Sequence, residues 1–141
     1  MSRQVVSVPP SAPLSDVVKR MIQHHVGAVI VVKSPASRPV PVGVVTDRDV
    51  VRALSMHAAD LFTLSAGDVM SRDPLELNEN DSLAAAIAKL RSRGVRRAPV
   101  LDQSGALVGV VSVDDLLFEV GRELAALVDL IAKQPRKEGT L

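Results

Sequence analysis

Two hydroxyl residues in this chain each stand three positions before an aspartate. Thr46 precedes Asp49 in GVVTDRDVV (Gly43–Val51), and Ser112 precedes Asp115 in GVVSVDDLL (Gly109–Leu117). At a strand–helix junction this spacing makes a capping box: the hydroxyl accepts from the N3 amide, and the carboxylate accepts from the N-cap N–H. An aspartate there also suits the positive end of the helix dipole. The same junction can bind. A helix N-terminus offers unpaired N–H groups to an anion, and a carboxylate beside it can take both hydroxyls of a cis-diol. Arg48 lies inside the first motif, and Arg96 and Arg97 close RSRGVRR (residues 91–97). Their planar forks suit phosphate. RSRGVRR reads equally well as a solvated helix end whose cations complement the C-terminal dipole.

Other chemistry finds less support. No Ser–His–Asp set sits at a nucleophile elbow, and neither a phosphate-loop lysine motif nor a Gly-rich dinucleotide fingerprint occurs. His24 and His25 are adjacent, and adjacent helical residues do not face one another. Neither they nor His57 have a Cys or carboxylate cluster beside them. We expect no metal site and no enzyme activity. His25 is placed to line a cleft near Val26.

The composition narrows the class. Apolar residues make up 47% of 141, enough for a core, but Phe62 and Phe118 are the only aromatics. That excludes the stacking platforms of single-stranded nucleic-acid binders. The net charge of +1 gives little general attraction to DNA or anionic lipid. Arg91, Arg93, Arg96 and Arg97 could form a basic patch, but the near-neutral charge argues against nucleic acid as a partner. No Cys occurs, which excludes disulfides and thiolate chemistry. MSRQVVSVPPS lacks a signal-peptide apolar run, and no apolar stretch is long enough to span a bilayer. The expectation is a soluble, cytoplasmic protein with no membrane association.

The elements that must position these residues occur twice. RQVVSVPPSAPLSDVVKRMIQHHVGAVIVV aligns on RDPLELNENDSLAAAIAKLRSRGVRRAPVL at an offset of 69, and Gly43 matches Gly109 at an offset of 66. The repeats are read as residues 3–56 and 70–125, joined by a linker over 57–69 and followed by an extension over 126–141. Each half opens with a short extended segment, Val5–Val8 or Leu75–Leu77. A cap follows, Ser11 or Asn80. Apolar positions 14, 17, 18, 21 and 22, or 83, 86, 87 and 90, then trace one helical stripe. The apolar runs Ala28–Val32 and Ala98–Leu101 predict buried strands, and KSPASRP and DQSG predict turns. A second strand enters each motif, and helices follow over about 46–56 and 112–131. The predicted class is α/β (α+β): two β-α-β-β-α units, each too small to bury its surface alone, packed sheet to sheet. Leu117, Val120, Leu124, Leu127, Val128 and Ile131 extend a stripe past the second unit. It either folds back on the module or forms an interface. KQPRKEGTL is read as disordered.

VGAVIVV, PVGVVTDRDVVRAL, DVMSRDPLELNENDSLAAAIAKL, GVRRAPVLD and LVGVVSVDDLL, in two registered copies, resemble a tandem pair of cystathionine-β-synthase (CBS) domains, or Bateman module. The resemblance covers about residues 3–125. It implies a non-catalytic regulatory sensor, of energy state among other signals. Such modules bind adenosine-containing ligands such as AMP, ADP or ATP in two clefts between the repeats. Carried over residue by residue, Asp49 and Asp115 become the ribose ligands, and Thr46 and Ser112 contact ribose or phosphate. Val6 and Leu75 wall the adenine. The backbones of Val26-Gly27-Ala28 and Val95-Arg96-Arg97 read its edge. The carry-over gives the Asp115 cleft Gly27 and Ala28 together with both Arg96 and Arg97, and it gives Arg48 to the Asp49 cleft. It also implies a homodimer, a regulated protein partner and no required cofactor beyond the nucleotide. The alternative is a structural or interaction module whose clefts stay empty and whose two motifs only cap helices.

Overall fold

The computed structural model describes residues 5–34 and 38–133. The first half runs β1 (Ser7–Val8), α1 (Leu14–His24), β2 (Ala28–Lys33), β3 (Val40–Thr46) and α2 (Asp47–Met56). A 3-10 segment (Ala58–Thr63), α3 (Ala66–Val69) and β4 (Ser71–Arg72) follow. The second half runs β5 (Leu77–Asn78), α4 (Leu83–Arg93), β6 (Arg97–Leu101), β7 (Leu107–Ser112) and α5 (Val113–Lys133).

The duplication survives in the hydrogen-bond register. β1 and β5 pair in parallel with β2 and β6, as a strand–helix–strand crossover requires. β2–β3 and β6–β7 are antiparallel hairpins, with Ala28 opposite Thr46 and Arg97 opposite Ser112. These pairs correspond under the repeat. So do the two register shifts, at Val31/Val32 and Val100/Leu101. α1 buries Leu14, Val17 and Met21 and leaves Ile22 exposed; α4 buries Ala86 and Leu90 and leaves Ile87 exposed. The apolar stripe is therefore wider than the contact face.

Several boundaries differ from the sequence expectation. The opening strands are two residues each, Ser7–Val8 and Leu77–Asn78, and start later than expected. Ser11 caps nothing: Pro13 is the N-cap of α1 and makes no side-chain cap bond. On α4 the cap is Ser82, whose Oγ accepts from the Ala85 N–H at 3.1 Å, two residues after Asn80. Asn80 instead donates its N–H to Asn78 Oδ1 in a local turn.

The larger surprise is the segment over 57–69. It is built into the first half. Ala66 is fully buried in the first core, and Leu61, Leu64, Val69 and Met70 pack against it. β4 adds a fourth strand to the first sheet, on β3. Gly43 permits that approach, since a Cβ there would collide with the Met70 side chain and sit 2.9 Å from the Ser71 carbonyl oxygen. The second sheet has three strands, β5-β6-β7.

The buried apolar residues form two clusters, one per half. The halves meet where the sheets face each other, and the Leu107 N–H donates to the Pro39 carbonyl across that seam. α5 does not fold back. None of its residues is buried, and Leu124, Leu127 and Ile131 are 61%, 59% and 74% exposed. Residues 134–141, most of the segment expected to be disordered, lie outside the described residues.

Candidate functional site: two clefts between the halves

Both motifs fold into the capping boxes that their spacing demands. Thr46 and Asp49 exchange bonds, with the Asp49 N–H donating to Thr46 Oγ1 at 3.2 Å and the Thr46 N–H to Asp49 Oδ2 at 2.9 Å. Ser112 and Asp115 do the same, at 3.1 Å each way. The chain contains a third copy. Ser65 and Asp68 cap α3, and the Ser65 backbone and hydroxyl bonds hold the Asp68 carboxyl below its ordinary range. Its signal, Ser-x-x-Asp in SAGD, stands in the sequence, but no strand run precedes it.

Among the described residues, two clefts beside the Thr46 and Ser112 caps draw on both halves. The larger, about 530 Å³, places Thr46 and Arg48 of α2's N-terminus opposite Leu75, Val95, Arg96 and Arg97, with Gly27 between them. The smaller, about 270 Å³, joins Val6, Val26, Gly27 and Ala28 of the first half to Arg97, Ser112 and Asp115 of the second. Twelve of the thirteen residues singled out in the sequence thus line one cleft or both. His25 lines the smaller one as well.

Asp49 is the exception. It is 7% exposed and lies outside both clefts. Oδ2 is held by the Thr46 N–H, and Oδ1 sits 3.9 Å from Arg52 Nη1. Its neighbours are His57, Leu64, Asp68 and Val69 of the connecting segment, around a separate cavity of about 140 Å³. The carboxylates that do line the larger cleft are Asp47, whose Oδ1 accepts from the Arg48 N–H at 2.8 Å, and Asp73. Arg96 also departs from the carry-over. It lines the larger cleft, and only Arg97 reaches the Asp115 side. At the mouth of a strand, successive side chains point to opposite faces.

Sequence reasoning missed Arg72 and Arg93, which add two guanidiniums to the larger cleft. Arg72 arrives on β4, a strand that no pattern announced. Arg93 is held there by donating from Nη2 to the Asp73 carbonyl oxygen at 2.8 Å. His25 carries a backbone signal. It ends α1 at φ 54°, in the left-handed region where its repeat counterpart is Gly94, at φ 62°. A non-glycine held there marks a position where something other than backbone preference decides the residue.

Two capped helix N-termini, an adjoining carboxylate and a lining of backbone and guanidinium groups can hold a small polar anion beside a flat apolar group. Among the described residues no group of three or more His, Asp or Glu is placed to hold a metal ion. No helix among them is long and apolar enough to cross a membrane.

The family model described as CBS domain matches twice, over residues 1–56 and 66–122. The chain belongs to the CBS-domain family. It is a tandem CBS pair. The CBS domain-containing protein YhcV of Bacillus subtilis is 34% identical over 116 residues, covering 82% of this chain and 79% of YhcV. The hexameric CBS-CP12 protein from bloom-forming cyanobacteria is 27% identical with a TM-score of 0.71, over 96% of this chain and 72% of that one. The CBS domain pair of protein MJ0100, solved with 5-methylthioadenosine and S-adenosyl-L-methionine, has a TM-score of 0.74 at 19% identity, over 87% of this chain and 93% of that one.

Proposed function

We propose that this CBS pair is a non-catalytic regulatory module that binds an adenosine-containing ligand, with the smaller cleft as the principal site. One observation carries the reading. The backbone turn Val26-Gly27-Ala28 of one repeat and the Ser112–Asp115 cap of the other line the same cavity. Val6, Ile30 and Val110 supply apolar walls for a base, and the backbone at 26–28 reads its edge. Asp115 Oδ2 is occupied by the Ser112 N–H, which leaves Oδ1 for a ribose hydroxyl. That the MJ0100 pair was solved with two adenosine derivatives supports the ligand class. Binding signals only if the two packings of the halves differ in affinity for the ligand.

Titration calorimetry with AMP, ADP, ATP and S-adenosylmethionine, on protein shown by mass spectrometry to carry no copurified ligand, tests this. Heat with at least one of them is expected. Silence with all four sinks the reading in favour of an interaction module with empty clefts.

The signal needs a receiver, and α5 supports a second copy of the chain. Its exposed stripe continues a groove that α4 and α5 form together, walled by Ile87, Leu90, Leu116, Leu117 and Val120. A helix face this apolar is unstable in water unless covered. The CBS-CP12 protein, a hexamer, is an assembling relative. Sedimentation velocity is expected to give a dimer that Leu127→Glu dissociates.

A further inference from the structure

The two clefts are not separate chambers. Gly27 and Arg97 line both. Arg97 opens β6, and its guanidinium lies beside Gly27 of the first half, where the halves meet. Glycine at 27 makes room for it: a Cβ there would sit 3.2 Å from Arg97 Nη1 and 3.3 Å from Asp47 Oδ2. The described ion pairs do not involve Arg97. Its guanidinium thus has no ion-pair partner among the described residues, and it lines both clefts.

The clefts differ sharply in charge. Around the larger one stand Arg48, Arg72, Arg93, Arg96 and Arg97, against Asp47 and Asp73. The smaller one has Arg97, Asp115 and His25. Among the described residues, Arg97 is thus the sole permanent cation lining the smaller cleft and one of five lining the larger. The larger cleft also has about twice the volume.

We infer that Arg97 is shared between two unlike sites. The larger cleft takes a polyphosphate, and the smaller takes a nucleoside bearing at most one phosphate. Turned onto a polyphosphate in the larger cleft, the Arg97 fork is no longer aimed at a phosphate in the smaller, so polyphosphate binding withdraws Arg97 from the smaller cleft. The coupling is reciprocal by linkage. The inference rests on the nucleotide reading for the smaller cleft, but not for the larger, where inorganic tripolyphosphate serves as the probe.

The test is calorimetric, on the full chain at constant ionic strength. Tripolyphosphate is expected to bind alone. Its presence is expected to weaken AMP about tenfold and then level off at saturation, as coupling between distinct sites does. Adenosine, with no phosphate to lose, is expected to be unaffected. Arg97→Ala removes the cross-effect, and Arg97→Lys, which keeps the charge without the fork, removes most of it. Arg48→Ala, in the larger cleft alone, weakens tripolyphosphate and leaves AMP unchanged. No tripolyphosphate binding overturns the inference, and so does an AMP affinity indifferent to it. An AMP affinity that keeps falling in proportion to tripolyphosphate means one common site and also overturns it. If tripolyphosphate binds but neither AMP nor adenosine does, the nucleotide reading has failed and the sharing falls with it. The polyanion cradle then stands alone.

Discussion

Thr46–Asp49 and Ser112–Asp115 are the same device in the same place on the same repeat, and they end up in different environments. Both aspartates cap a helix with nearly equal geometry. Asp115 is half-buried and lines a cleft; Asp49 is buried and does not. The cause lies outside the motif. The segment after the first repeat folds over α2, laying Leu64, Val69 and His57 around Asp49, while the helix after the second motif runs straight on as α5. A capping box therefore specifies how a helix starts, and the next piece of chain decides whether its carboxylate meets solvent, ligand or core.

The largest way to break this contrast is to dislodge the connecting segment. Gly43→Ala forces a Cβ against Met70 and the Ser71 carbonyl, and we expect a loss of about 3 kcal/mol by chemical denaturation. Loss of protection in Ala66–Val69 by hydrogen exchange would accompany it, and an unchanged midpoint would show that the strand β4 is not held at Gly43.

Next, the two aspartates should fail in different currencies. Asp49→Ala removes a buried carboxylate and leaves the part-buried Thr46 N–H unpaired, and should lower stability by about 2 kcal/mol, with at most a secondary effect on ligand affinity. Asp115→Ala should lower stability by only about 1 kcal/mol but weaken nucleotide binding by about 1.5 kcal/mol, read by denaturation and calorimetry on the same samples. Equal behaviour of the two variants in both measurements would erase the distinction drawn here.

The helix ends before the clefts offer a smaller test. His25→Gly relieves a left-handed backbone on a non-glycine residue. After the extra freedom of glycine in the unfolded chain, a gain of about 0.5 kcal/mol in stability is expected. Nucleotide affinity should fall, because His25 lines the smaller cleft. A variant both more stable and equally tight would deny His25 any binding role.

The smallest effect is acid sensitivity in the second half. The Lys89 ammonium, 2.7 Å from Asp81 Oδ2, together with the Asn78 N–H, holds the Asp81 carboxyl below its ordinary 3.8. A carboxyl lowered by folding stabilises fully above its unfolded pKa and loses that contribution as pH falls through the folded one. Lys89→Met should therefore shrink the loss of stability between about pH 4 and pH 2. An acid titration of the melting temperature that is the same in both proteins would remove the pair from the account.

Much of the molecule was legible in the chain. The two-copy alignment located β2, β3, β6, β7 and the four main helices, because a duplicated pattern of apolar runs, turns and caps is hard to satisfy with another fold. The place of Val26, Gly27 and Ala28 on the smaller cleft was legible only through the family resemblance, since a position lining a cleft with its backbone leaves no mark on residue type. β4 and α3 were not legible. Two strand residues and one turn of helix have no periodicity of their own, and they form because the first core offers an edge at Gly43 and a cavity for Ala66.

By itself the sequence determined that this chain is two CBS repeats, that each ends in a capped helix, and that arginines crowd one side. These are local properties: apolar period, hydroxyl–carboxylate spacing, charge. Only the tertiary structure decided which carboxylate faces a cleft, that Asp47 and Arg72 join the larger one, and that Arg97 belongs to both. Those outcomes depend on how chain segments about 70 residues apart cover or expose one another. The cover that buries Asp49 comes from segment 57–69, and nothing in the motif itself encodes it.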